Sequence, residues 1–159
     1  PHLNVRPPLR GKSDRQALLQ GVLDGTIDAI SCGDRPQSDV EKAKPFGRAD
    51  PGMLGFETSL GLGMRLGADG QLSLEMLVKA FCYAPRQLLD LPVWPVEQGG
   101  IADFMVFDPT AETTVCFGKR PHRAENSPFQ GEKMAGKVVI TMVEGELVYD
   151  STSSGGRKR

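Results

Sequence analysis

Histidine is nearly absent from this chain of 159 residues, which carries only His2 and His122. Neither has a second ligand at metal-site spacing, so both are expected in loops, hydrogen-bonded or facing solvent. Three cysteines, Cys32, Cys82 and Cys116, stand far apart with no C-x-x-C pair. That excludes a disulfide framework and a zinc ribbon, and makes a reducing, cytoplasmic setting the expectation. No apolar run approaches the ~18 residues of a membrane span. Charge of neither sign prevails: 19 Lys and Arg are scattered among 20 Asp and Glu, which is no nucleic-acid footprint. The first ten residues, "PHLNVRPPLR", hold neither an initiator Met nor the apolar segment of a signal peptide, and read as a chain entered in the middle.

What is present has α/β character. Ser13-Asp14-Arg15-Gln16 has the form of a capping box, followed by Ala17, Leu18, Val22 and Leu23 at helical spacing and by Gly25 as a stop. The run Ile27 to Ser31 predicts a strand, and a strand soon after a helix is the repeating step of a parallel sheet. A second helix is expected from Phe56 to about Leu66, weakened by Gly61 and Gly63. Leu74, Leu77, Val78 and Phe81 form the face of a third, and Pro85 opens a further turn with Leu88 and Leu89.

After Pro92 the pattern changes. "ADFMVFD", "TTVCF" and "KVVITMVEGELVYD" are short β-type runs, the last turning back at Glu144-Gly145. Gly99-Gly100 reads as a turn, Asp103 as the start of a strand, and Trp94 and Phe129 as packing anchors. Two regions are the expectation, 1–91 and 92–150, because one core does not easily serve both patterns. The tail 151–159, ending "SSGGRKR", reads as disordered.

One loop draws the chemical question. In "IDAISCGDRPQS", residues 27–38, an apolar run opens into a polar loop, and strand-end loops are where α/β enzymes keep their chemistry. Asp34 has two readings there, a residual metal ligand or a turn-former and helix cap. Arg6 and Arg10 suit an acidic ligand, since arginine forks fit carboxylates, and Arg10 also has Asp14 and Asp24 as possible ion-pair partners. Pro51-Gly52 is, on composition alone, an ordinary turn.

Four stretches occur in the order seen in dihydroorotases: "RPPLR" through "DGTIDAI", "PFGRADPGMLGFET", "GGIADFMVFDP" and "NSPFQGEKMAGKVVITMVEGELVYD". From Arg6 to Asp150 the chain resembles that family of the amidohydrolase superfamily. The resemblance implies the closing units of a (β/α)8 TIM-type barrel over 1–91, an incomplete barrel, followed over 92–150 by the C-terminal strands of a small β-sandwich. It further implies a zinc-dependent hydrolysis of the cyclic amide of dihydroorotate to N-carbamoyl-aspartate.

The resemblance also exposes departures. The family's proline-rich stretch reads N-P-P-L-R, with a substrate-contacting Asn where this chain has Arg6. Its strand-end loop reads D-H-x-P-H, with a metal-binding general base and a substrate-contacting final His. Aligned on Pro36, the Asp and the two His fall on Gly33, Asp34 and Gln37, and a one-residue shift would put Asp34 in the catalytic acid's place but still leave Arg35 and Gln37 where histidines belong. Pro51 and Gly52 match the backbone pair lining the substrate pocket. Attack by a metal-bound hydroxide needs a carboxylate that both holds the metal and moves the proton, placed within about half an ångström. Gly33 offers none, Asp34 lies one position along, where side chains point the other way, and Arg35 beside it disfavours a bound cation. The family's remaining ligands, His-x-His and a carboxylated Lys, lie upstream of any residue here.

The family also has bacterial homologues without activity that associate with aspartate carbamoyltransferase, and "HLNVRPPLR" is similar to that subgroup. The expectation is therefore a dihydroorotase-like protein of pyrimidine biosynthesis that lacks catalysis, holds no metal and binds that transferase. Arg6, Gln37, Pro51 and Gly52 would keep any affinity for a carbamoyl-aspartate or dihydroorotate-like ligand, with no nucleic acid and no membrane involved. The alternative is a fragment of an active zinc-dependent enzyme.

Overall fold

The computed structural model describes residues 1–117 and 124–152. Helix α1 spans Lys12–Asp24 and ends at Gly25 in the left-handed conformation. Its start corrects the sequence reading: the N-cap is Gly11, whose backbone N–H donates to the Asp14 carboxylate at 3.2 Å, so Asp14 closes the turn and Ser13 lies inside the helix. The apolar stripe exists but finds no cover. Leu18 is 59% and Leu23 46% exposed, and only Gly21 is buried, against Ile27. Arg10 is exposed and makes no ion pair with Asp14 or Asp24.

The expected strand at Ile27 to Ser31 does not form. The nearest bridge is one parallel pairing further along, Asp34 with Met53. A strand exists only where a neighbour takes up its N–H and C=O groups. Ile30 N–H instead donates to the Ala80 carbonyl of a helix, at 2.9 Å.

Short α2, Asp39–Lys42, is capped by Ser38, whose hydroxyl accepts from Glu41 N–H while Glu41 reaches back to Ser38 N–H. Helix α3, Phe56–Ala68, matches the second expected helix, and its glycines are the close-packing positions. A Cβ on Gly61 would lie 2.6 Å from that of Met134, and one on Gly63 would press on Phe81 and Leu77. Helix α4, Leu74–Val78, runs through a wide turn, Lys79–Tyr83, into α5, Ala84–Leu88. The wide turn has a local cause. Pro85 lacks an N–H and would crowd the carbonyl four residues earlier, and Ala84 N–H bonds the Lys79 carbonyl five back.

The second half forms a three-stranded antiparallel sheet in the order β1–β2–β3, with β1 at Phe104–Thr114, β2 at Lys133–Val143 and β3 at Glu146–Asp150. The register of β1 on β2 slips between Asp108 and Glu112, around Pro109. There the Asp108 carboxylate accepts from Thr110 N–H, Thr110 hydroxyl and Ala111 N–H, which hold its pKa below the ordinary value. The hairpin turn has positive φ at both Glu144 and Gly145, as the twist-matched two-residue turn requires. Asp103 accepts from Glu144 N–H and so anchors this turn.

The best-buried apolar cluster is Leu54, Val115, Phe117, Ala124 and Met134, with Leu62 and Phe129 against it. It draws on residues from both sides of position 92. Phe129 is thus an anchor as expected, whereas Trp94 is 44% exposed and lies outside this cluster. No described helix is long and apolar enough to cross a membrane. His122 and residues 153–159 of the expected disordered tail lie outside the described residues.

Candidate functional site

The loop from Gly33 to Gln37 sits beside the segment Pro51–Gly55, and side chains from remote positions fix the pair. Gly33 carries no side chain and opens onto free space. Asp34 turns away from that space: its Oδ1 accepts from Gly55 N–H at 2.7 Å and Phe56 N–H at 3.2 Å. Those are unsatisfied donors at the start of α3, and a carboxylate there both completes hydrogen bonds and meets the positive end of the helix. Asp34 is a helix cap, the second of its two sequence readings.

Arg35 N–H donates to the Met53 carbonyl at 2.9 Å, continuing the parallel pairing. Gly52 allows this approach, because a Cβ there would stand 2.8 Å from the Arg35 carbonyl oxygen. Gln37 Nε2 donates to the Pro51 carbonyl at 3.4 Å. Gly52 N–H donates to the Asn4 carbonyl at 2.9 Å, and the Asn4 side chain donates to the carbonyls of Phe46 and Ala49. The structure therefore brings together Gln37, Pro51, Gly52 and the N-terminal segment that leads through Asn4 to Arg6. Arg6 itself is exposed.

Two anchors of this site were not legible in the sequence. Lys42 is 3% exposed, and its ammonium donates to the carbonyls of Pro1, Asn4 and Asp50 at 3.3, 3.4 and 2.9 Å. Burial holds its pKa below the usual lysine value, and the nearby Asp50 carboxylate opposes that shift. In "DVEKAK" it reads as one more charge on a solvated surface. Asn126 is 1% exposed and clasps Arg35 and Gln37 from about ninety positions away. The turn-like string around it gives no hint of that target.

As a metal centre this constellation is deficient. Among the described residues no three His, Cys, Asp or Glu side chains come together. His2 is half-buried, with Nδ1 enclosed and unpartnered among the described residues, and no second imidazole faces it there. Asp34 spends one oxygen on α3, and Arg35 follows it in sequence. The donor set in hand does not fit zinc.

No family model matches the chain. A curated dihydroorotase from Desulfotalea psychrophila is 40% identical over 148 residues, covering 93% of this chain and 35% of that protein. The dihydroorotase of Clostridioides difficile is 38% identical over 148 residues, covering 92% of this chain and 35% of its own length. The chain thus spans about a third of the curated relatives it matches. Among solved structures, the L-hydantoinase (dihydropyrimidinase) of Arthrobacter aurescens aligns with a TM-score of 0.83 at 30% identity, over 94% of this chain and 35% of that one. An inactive dihydroorotase-like domain of the Chaetomium thermophilum CAD-like multifunctional protein aligns with a TM-score of 0.65 at 19% identity, over 94% of this chain and 40% of that one, a likeness of fold alone.

Proposed function

We propose that this chain, similar over most of its length to curated dihydroorotases, is the closing part of a dihydroorotase-like barrel protein of pyrimidine biosynthesis that lacks catalysis and serves aspartate carbamoyltransferase as a structural partner in the cytoplasm. One observation carries the loss of catalysis. The loop offers a single carboxylate, on Asp34, and its Oδ1 caps α3 at 2.7 and 3.2 Å, while Gly33 supplies no group in its place. Opening a cyclic amide with zinc-bound hydroxide needs a carboxylate free to hold the ion and take the proton. Oδ1 of Asp34 held by α3, with no side chain at Gly33, supports the reading without catalysis.

The matched Pro51-Gly52 pair, with the Gln37 side chain bonded to the Pro51 carbonyl, supports a different reading, part of an active zinc-dependent dihydroorotase or related cyclic amidohydrolase. A dihydroorotate-like or carbamoyl-aspartate ligand would meet the same backbone groups, with Arg6 nearby in sequence for its carboxylate. Both readings are decided on the full polypeptide in which this sequence occurs. Assayed with added zinc, it is expected to leave dihydroorotate unopened and to hold no stoichiometric metal by mass spectrometry. It is also expected to co-elute with the catalytic chains of aspartate carbamoyltransferase. Zinc-dependent turnover overturns the first part; separate elution overturns the second.

A further inference from the structure

Asn126 makes an uncommon set of bonds for a side chain so far from the loop it touches. Its Nδ2 donates to the Arg35 carbonyl at 3.0 Å, and its Oδ1 accepts from Gln37 N–H at 2.9 Å. Its own carbonyl accepts from Leu54 N–H at 3.1 Å. A carbonyl on one side of Pro36 and an N–H on the other are what a parallel strand neighbour takes up from the residue between them. The carboxamide supplies one donor and one acceptor in the same arrangement, and the two partners fix which end is which. It does so at a residue 1% exposed, beside the cluster that holds Leu54 and Phe117.

We propose that Asn126 is the positioning residue of the Gly33–Gln37 loop, its side-chain amide standing in for a missing strand neighbour at Pro36 and setting where Gln37 lies against Pro51. The chain of contact is short. Asn126 holds the Gln37 backbone, and the Gln37 side chain donates to the Pro51 carbonyl at 3.4 Å, so the placement of Gln37 against Pro51 is set from a residue in the second half of the chain. This goes beyond the functional reading, because it holds whether or not the loop supports turnover. Asp34 caps α3 on one side of the loop while Asn126 completes pairing on the other.

The test is amide exchange at Gln37 by NMR in the full chain, with Asn126→Ala and Asn126→Asp. Losing the acceptor in Asn126→Ala is expected to lower protection at Gln37 about tenfold, the scale of one buried hydrogen bond, and to leave protection in the β1–β3 sheet unchanged. Asn126→Asp keeps an acceptor but sets a buried carboxylate against the Arg35 carbonyl. Protonation restores a donor, so its protection deficit relative to wild type is expected to shrink as pH falls from 8 toward 4. A role in packing alone predicts no such recovery, since the carboxyl fills the same space at either pH. Unchanged Gln37 protection in Asn126→Ala overturns the proposal, and so does a deficit in Asn126→Asp that ignores pH. If the alanine variant fails to fold, the pH response of the Asp variant decides alone.

Discussion

The hairpin from Lys133 to Asp150 and the segment from Ile27 to Gln37 start from similar material, apolar residues of β-type composition bounded by turn signals. Only the first becomes a sheet. The hairpin carries its partner a few residues away, through the turn at Glu144-Gly145, and β1 adds a third strand from the same half of the chain. The Ile27 segment is of the parallel kind, whose neighbours lie a whole crossover away. Within these residues it meets one bridge at Met53 and then a side chain, Asn126. Antiparallel structure is local, whereas parallel structure depends on distant chain.

Four changes would break or sharpen that contrast. Phe117→Ala, at a position with no exposed surface in the cluster shared by both halves, is expected to cost roughly 3–5 kcal/mol. If the halves depend on one another, helix and sheet signals melt together in that variant. Sheet signals that survive alone would show the second half to be self-sufficient. Asp34→Ala should cost about 1–2 kcal/mol through the lost cap on α3, and thermal melts should show the same shift with and without zinc. A zinc-dependent difference would restore Asp34 as a ligand.

Gly145→Ala tests the local half. With φ at +82°, the turn should lose about 1 kcal/mol, and exchange should accelerate along β2 and β3 while α3 stays protected. The smallest effect is a slope. Burial keeps the Lys42 pKa lower in the folded chain than in the unfolded one, so the folded chain releases that proton first as pH rises. Its contribution to stability therefore grows through the alkaline range below the ordinary lysine value, and is lost as pH falls. Melting wild type against Lys42→Met, which cannot titrate, should show the gap changing in favour of wild type from pH 8 to pH 10. A gap independent of pH would place the Lys42 ammonium in solvent.

The resemblance marks Gln37, Pro51 and Gly52, and of these the Gln37 side chain bonds the Pro51 carbonyl. The fate of Asp34 was left between two readings, because a carboxylate one position from a metal site and a carboxylate capping a helix look alike until the helix is placed. Ser13 and Asp14 show the same limit at smaller scale, since both are good caps and the backbone's entry angle at Gly11 chose between them. Lys42 and Asn126 left no sign, because nothing in a lone Lys or Asn tells which carbonyl it will find.

From the order of its amino acids alone came the resemblance to dihydroorotases, the helices around Leu18, Leu60 and Leu77, and the hairpin at Glu144-Gly145. Those features rest on periodicity, turn chemistry and residue identity, which act over a few neighbouring positions. Tertiary structure decided that the Ile27 run would stay unpaired, that Asp34 would serve α3, and that one amide ninety residues away would hold Gln37. Hydrogen-bond donors and acceptors are alike along the whole backbone, so only their arrangement in space determines which of them meet.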